Sequence, residues 1–350
     1  MISSHFRSAV SQRLLTLLDE VPDFVDSVRA RELFTEFISP ARQLSSGGKR
    51  TRALFVGGGF QAIRPSSSDL PLHAAVATEI YQASALVHDD IIDDADTRRG
   101  ITSTHQLFAA THSAQNLLGA KDVFGRHSAL LLGDYLLSLA GEEFARQPAS
   151  DADFRSASQL FATMTAQTAF GQYMDMRAEF TDVDNDVERA LSDAFLVLLH
   201  KSARYSVELP VLLGASLAGA DSTALDQLTL FARPLGEAFQ LRDDELGIFG
   251  DSAVTGKPAG SDFSEGKRTV LLALTRHMCQ DSERDFIDAH LGKPVTSSQL
   301  HLVKEIMISC GAYDRHEELI AVREQDARDN LPRQSTILTE LTHALHRRTA

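Results

Sequence analysis

Along almost the whole chain, apolar side chains recur every three or four positions and seldom alternate with polar ones, which is the period of amphipathic helices and not of strands. Residues 6–38 read as one or two helices on Phe6, Val10, Leu14, Leu17 and Leu18, then Val28, Leu33 and Phe37. Pro40 and the run Ser45-Ser46-Gly47-Gly48 break that pattern, and a new apolar helix covers 53–63. The loop 65–69 supplies an N-cap, and Pro71 suits the first turn of a helix that runs into 89–96. Residues 101–120 read as a connecting segment, followed by helices over 125–145, 155–180, 187–209 and 234–249. Residues 250–266 read as a Gly/Ser/Asp-rich loop, and the remainder as charged amphipathic helix with breaks near Pro294 and Pro332. With no linker or shift of composition, the expectation is one all-α domain over 1–350, a bundle of antiparallel helices.

The helix from Pro71 ends in Leu86-Val87-His88-Asp89-Asp90-Ile91-Ile92-Asp93-Asp94-Ala95-Asp96, then Thr97-Arg98-Arg99-Gly100. Asp89 and Asp93 are one turn apart on one face. Like charges at that spacing cost a bare helix about 0.2–0.5 kcal/mol per pair, and a hard divalent cation would remove the repulsion. The helix above is rich in small residues, among them Ala74, Ala75, Ala77, Ala83, Ser84 and Ala85. A second acidic cluster, Asp243-Asp244-Glu245, is flanked by apolar residues on both sides, unlike a solvated charge run. Two such helices can clamp Mg²⁺ ions around a diphosphate, since Mg²⁺ takes one or two carboxylates plus phosphate oxygens.

A net charge of −14 argues against a general nucleic-acid surface. An anionic substrate would need local basic groups, and these are Lys49-Arg50-Thr51-Arg52 after Gly47-Gly48, Arg98-Arg99, Lys201, Lys257 and Lys267-Arg268. Glycines beside a lysine, ahead of a helix N-terminus, let a phosphate approach the backbone. None of these is a P-loop, and Gly57-Gly58-Gly59 lacks the strand that a dinucleotide fingerprint requires. The two cysteines, Cys279 and Cys310, suit inert packing in a reducing compartment. The start carries no basic region followed by a long apolar run, and no apolar run approaches a membrane span, so the expectation is a cytoplasmic protein without a transmembrane segment.

Taken in order over roughly residues 37–270, these motifs resemble the trans-isoprenyl diphosphate synthases, or polyprenyl synthetase family, of the geranylgeranyl type. The order is Gly-Gly-Lys-Arg-x-Arg, Asp-Asp-x-x-Asp with Arg-Arg-Gly, Gly133-Asp134, Gly171-Gln172, Lys201-Ser202, Phe239-Gln240, the second aspartates, Gly-Lys-Pro and Lys267. The resemblance implies Mg²⁺ as cofactor, three ions per active site with substrate bound, on Asp89, Asp93 and Asp243, with Asp90 supporting. It implies that Lys49, Arg52 and Arg99, with Gln82 where the family often has His, hold isopentenyl diphosphate. Arg98, Lys201 and Lys257 would grip the allylic diphosphate with Lys267 nearby, and Ser202 and Gln240 would lie beside the allylic carbon. It also implies a central substrate cavity and a homodimer. Gly247 stands where the family has the last Asp of the second motif.

The chemistry implied is ionisation of the allylic diphosphate, attack by the isopentenyl double bond and loss of a proton. Family members that stop at C15 often carry an aromatic four or five residues before the first Asp. Here those places are Ala85 and Ser84, and Tyr81 is the first bulky floor, which predicts a C20 product, geranylgeranyl diphosphate. The alternatives are a C15 or longer-chain synthase, a class I terpene cyclase, which would leave Lys49 and Arg99 unexplained, and an accessory prenyltransferase subunit.

Overall fold

The computed structural model describes residues 2–98, 100–181, 186–250 and 259–346. Nearly all of them are helical: α1 (Ile2–Asp19), α2 (Val28–Ser45), α3 (Thr51–Ile63), α4 (Leu72–Ile92), α5 (Thr104–Ala114), α6 (Lys121–Ala145), α7 (Asp151–Glu179) and α8 (Val187–Val197). A π-helical segment, Leu198–Glu208, leads into α9 (Leu209–Leu217). Then follow α10 (Ser222–Phe249), α11 (Ser261–Glu265), α12 (Val270–Met278), α13 (Asp281–His290), α14 (Ser297–Ser309), α15 (Ala312–Asp329) and α16 (Thr336–His346). A two-strand hairpin, β1 (Thr97–Arg98) with β2 (Ile101–Thr102), pairs antiparallel. The all-α expectation holds.

Four local expectations are corrected. Pro40 lies inside α2, because Ile38, Ala41 and Leu44 continue its buried face past the missing N–H. The segment 101–120 contains α5, whose buried residues are Thr104, His105, Phe108, Ala109 and His112. Three of those five are polar, so no apolar period announced it. The helix expected at 234 starts at Asp221, whose carboxylate caps Ala224 N–H, and it passes through Pro234. The loop read over 250–266 carries the short helix α11 at its end.

The chain divides into two compact units, Met1–Ser158 with Gly214–Gly219, and Gln159–Leu213 with Ala220–Ala350. In the first, α4 packs along α6, and α5 covers α6. Ala74, Ala75, Ala77 and Ile80 are fully buried, so alanines let the backbones approach closely. His88 follows the same face, its Nε2 3.3 Å from Leu130 O and 3.5 Å from Asp134. Glu143 is fully buried and satisfied by Arg13 at 2.7 Å and His73 at 2.8 Å. In the second unit, α10 packs on the π segment and on α15. Its core includes Leu198, Ala203, Leu241, Val270 and Ile320, with Phe263, Leu271 and Met307 in a second cluster.

Candidate active site

In the first unit, α4 delivers its aspartates at a helix end that the sequence closes without glycine. Asp94 adopts the left-handed conformation (φ 49°), Ala95 N–H reaches Asp90 O at 3.0 Å, and Asp94 N–H reaches Ile91 O at 3.4 Å. This is a Schellman turn with Asp in the usual glycine place. The helix therefore stops at Ile92, so Asp96 leaves the face that Asp89 and Asp93 share. The hairpin folds back and lays Arg98 on the helix end. Its Nη2 lies 2.7 Å from Asp89 and 2.5 Å from Asp90, and its Nε donates to Asp90 at 2.6 Å. Burial alone would lower the guanidinium's pKa, but Asp89 and Asp90, then Asp93, hold it above its ordinary value. Asp90 is 1% exposed and Asp89 19%, so Asp89 is the more accessible of the two.

The same helix organises the lysine motif. Glu79 of α4 accepts from Ala53 N–H at 3.1 Å, capping α3. It also lies 3.7 Å from Arg50, which is buried and left-handed (φ 53°). Arg50 donates further to Ser45 O at 2.5 Å and to Ser11 at 3.1 Å. Arg50 thus fastens the motif, leaving Lys49 exposed and Arg52 half-buried at the α3 N-terminus. Gln82, half-buried, follows Glu79 by three residues on α4. Of the three positions bearing on chain length, Tyr81 is 5% exposed and Ser84 1%. Ser84 donates its hydroxyl to Gly133 O of α6 at 2.8 Å, and Ala85 is half-buried.

In the second unit, Lys201 Nζ lies 2.5 Å from Asp175. Lys267 Nζ lies 2.8 Å from Glu179 and 3.5 Å from Asp175. Gln240 donates to Asp244 at 2.8 Å. Burial pushes the Asp244 carboxyl well up against that hydrogen bond, and Asp262, Asp243 and Asp175 push it further. Lys201 and Ser202 sit within the π segment, where a wide turn often marks a functional site. Gly171 of α7 and Gly236 of α10 abut that segment. A Cβ on Gly171 would meet Lys201 N at 2.4 Å, and one on Gly236 would meet Ala203 O at 2.4 Å.

Glu179 and Asp262 are not singled out in the sequence, and Asp175, within the helix read over 155–180, is given no role there. Asp175 follows Gly171 by one helical turn, and a close-contact glycine with an acid one turn later was the available signal. Arg99 and Lys257 lie outside the described residues. Among the described residues, no group of three carboxylate, His or Cys side chains could by itself hold a metal ion. The α4 end offers two carboxylates one turn apart, donors that suit Mg²⁺, which keeps several waters and completes its shell with phosphate oxygens. On α10, Asp243 offers a carboxylate of the same kind.

Lysines held by helix-borne carboxylates in an all-α frame suit the binding of a polyanionic substrate. The chain belongs to the polyprenyl synthetase family, whose model matches residues 35–307, and it is a trans-prenyltransferase. It is 29% identical over 313 residues to a geranylfarnesyl diphosphate synthase of Aeropyrum pernix, covering 87% of this chain and 89% of that one. It is 30% identical over 273 residues to a geranylgeranyl diphosphate synthase of Saccharolobus solfataricus, covering 75% and 73%. A crystal structure of the geranylgeranyl pyrophosphate synthase of Corynebacterium glutamicum, in complex with isoprenyl diphosphate and magnesium, is similar at a TM-score of 0.87 and 33% identity. That match covers 98% of this chain and 99% of the other.

Proposed function

We propose that this prenyltransferase condenses isopentenyl diphosphate with an allylic diphosphate and releases chiefly C20 geranylgeranyl diphosphate. The observation that carries the product length is the α4 face above Asp89, where Ala85 and Ser84 are small and Tyr81 is the first bulky side chain. In this reading Asp89 and Asp93 hold Mg²⁺ at the end of α4, with Asp90 fixing Arg98. Asp243 holds Mg²⁺ in the second unit, and three ions act per site. Bound Mg²⁺ neutralises the diphosphate and makes it a better leaving group. Lys49, Arg52, Gln82 and Arg99 orient isopentenyl diphosphate. Arg98, Lys201, Lys257 and Lys267 bind the allylic diphosphate and stabilise the charge that develops as it departs. Ser202 and Gln240 direct dipoles toward the allylic cation.

A second copy of the chain is the proposed partner. Val123, Leu130 and Leu137 recur every seven residues on α6 and are 43%, 48% and 39% exposed, with Leu131 at 60%. An apolar stripe of this kind on a soluble enzyme marks an interface. Light scattering on the wild type and on Leu131→Glu tests it, with a dimer expected in the first and dissociation in the second. No described helix is long and apolar enough to cross a membrane. Both cysteines are unpaired, which supports a cytoplasmic location.

The deciding assay incubates the enzyme with Mg²⁺, isopentenyl diphosphate and each of the C5, C10 and C15 allylic diphosphates. C20 should accumulate. Elongation of none of the three would refute the function, and release of C15 alone would refute the product length. EDTA should abolish turnover. Asp89→Ala should lower kcat by about 10²–10³-fold, the cost of losing one stabiliser of transition-state charge.

A further inference from the structure

Behind the lysine cluster of the second unit lies a cavity that the proposed reaction leaves unused. Its volume is about 230 Å³. It lies between the end of α7, the helix α8 and the start of α12, on an apolar floor of Met174, Ala178, Ala194, Val197, Leu272 and Ala273. Four guanidiniums line it, those of Arg177, Arg189, Arg268 and Arg276, against one lining carboxylate, Asp193. Arg276, 2% exposed, is held by Asp288 at 2.8 and 3.0 Å, and Arg189 lies 3.9 Å from Asp193. Arg268 reaches only carbonyls, its Nε 3.4 Å from Ala178 O and its Nη2 3.3 Å from Thr181 O. Its Nη1 is buried with no hydrogen-bond partner among the described residues, and a buried polar atom left so is uncommon in a folded protein. Burial pushes the Arg268 pKa down, and Arg276 pushes it the same way against Asp288 and Glu179. Thr269, which also lines the cavity, caps Leu272 N–H at 3.2 Å and starts α12 there. A helix N-terminus adds a further preference for negative charge.

The cavity is distinct from the diphosphate site, though it shares its frame. Lys267 turns to Asp175 and Glu179, while Arg268, the next residue, turns to the carbonyls of Ala178 and Thr181. On α7, Met174, Arg177 and Ala178 are spaced i, i+3 and i+4, one step round the helix from Asp175 and Glu179. We propose that this cavity binds a small amphiphilic anion, a phosphate or carboxylate clasped by Arg268 and Arg177 with a short apolar body lying on Ala194 and Leu272. An apolar chamber with a few convergent polar groups is the usual make-up of a small-molecule site. The planar fork of arginine pairs with either headgroup through two parallel hydrogen bonds. The volume, roughly that of eight waters, admits a short chain or a single ring and is too small to enclose a C20 tail. An occupant here would sit one residue along the chain from Lys267.

Calorimetric titration in EDTA, which idles the metal-dependent site, tests this with octyl phosphate, octanoate, octanol and inorganic phosphate. Octyl phosphate or octanoate should bind once per chain, about 10-fold or more tighter than inorganic phosphate. The tighter of the two identifies the headgroup, and octanol should not bind. Arg268→Gln should weaken that binding about 10–100-fold. Ala190→Leu, at another lining position, fills the cavity without removing a charge and should abolish binding while circular dichroism stays like wild type. Lys201→Gln, in the proposed diphosphate site, should bind as wild type does. Failure of both amphiphiles to bind would overturn the proposal, as would equal affinity for octanol or inorganic phosphate. So would binding that survives in either folded cavity variant, or that Lys201→Gln removes.

Discussion

Replacing Gly171 by Ala isolates what holds Lys201 in place. The new Cβ would lie 2.4 Å from Lys201 N and 2.6 Å from both Lys201 Cα and His200 C. These are backbone atoms and cannot rotate aside. Ordinary contact needs about 3.5 Å, so α7 and the π segment must separate by about 1 Å. Overpacking of this kind costs about 1–3 kcal/mol. At about 2–4 °C per kcal/mol for a domain of about 150–250 residues, Tm should fall by several degrees. The larger effect falls on chemistry, because a shift of about 1 Å in a positioning group can cost about 10²-fold in rate. The Lys201–Asp175 pair spans these same two elements, so its geometry moves with them. Single-turnover kinetics with saturating allylic diphosphate, alongside calorimetry, should show kcat reduced far more than stability explains. Gly141→Ala is the control, since its Cβ would meet nothing within 4 Å. It should be neutral or stabilise α6 by about 0.5–1 kcal/mol. Wild-type kcat and Tm in Gly171→Ala would refute the reasoning.

Three further outcomes are expected. Tyr81→Ala should lengthen the product distribution and Ala85→Phe should shorten it toward C15, read by chromatography of the dephosphorylated alcohols. An unchanged distribution in both would remove this face of α4 from chain-length control. Burial alone would raise the pKa of Glu143, but hydrogen bonds from Arg13 and His73 hold it below the ordinary carboxylate range. Its contribution to stability is therefore complete above the unfolded pKa of about 4.3 and lost as pH falls through the folded value. Glu143→Gln should lower stability at pH 7 by about 3 kcal/mol and flatten the acid limb of the denaturation curve. Asp94→Gly should relieve a left-handed side chain and stabilise the enzyme by about 1 kcal/mol, with no loss of Mg²⁺ dependence. A large rise in the Mg²⁺ requirement would instead make Asp94 a ligand.

Much of this was legible in the sequence, for identifiable reasons. The helices on Leu14, Ala53 and Val76 carry regular apolar spacing. The order of aspartate and lysine motifs was sufficient for the family. What stayed hidden is what distance in space decides. Arg50 and Arg52 look alike in Gly-Gly-Lys-Arg-Thr-Arg, yet Arg50 is the structural one because Glu79, twenty-nine residues on, meets it. Asp175 reads as one acid on a long polar helix until Lys201 and Lys267 converge on it. Helix α5 was missed because its buried face holds Thr104, His105 and His112. The turn at Asp94 gave no glycine to announce it.

The π segment has one last implication, for insertions and deletions. Its bonds close five residues back, as Leu209 N–H does on Arg204 O, so it holds more residues per turn than an α-helix. Losing one residue between 198 and 200 would let it rewind as α-helix while α8 and α9 keep their places. Residues near Lys201 would then rotate, by up to about 100° for a one-residue change of phase. Such a chain would keep every motif intact, fold, and aim its lysine away from Asp175. A deletion of one residue here would thus silence the enzyme without touching a motif.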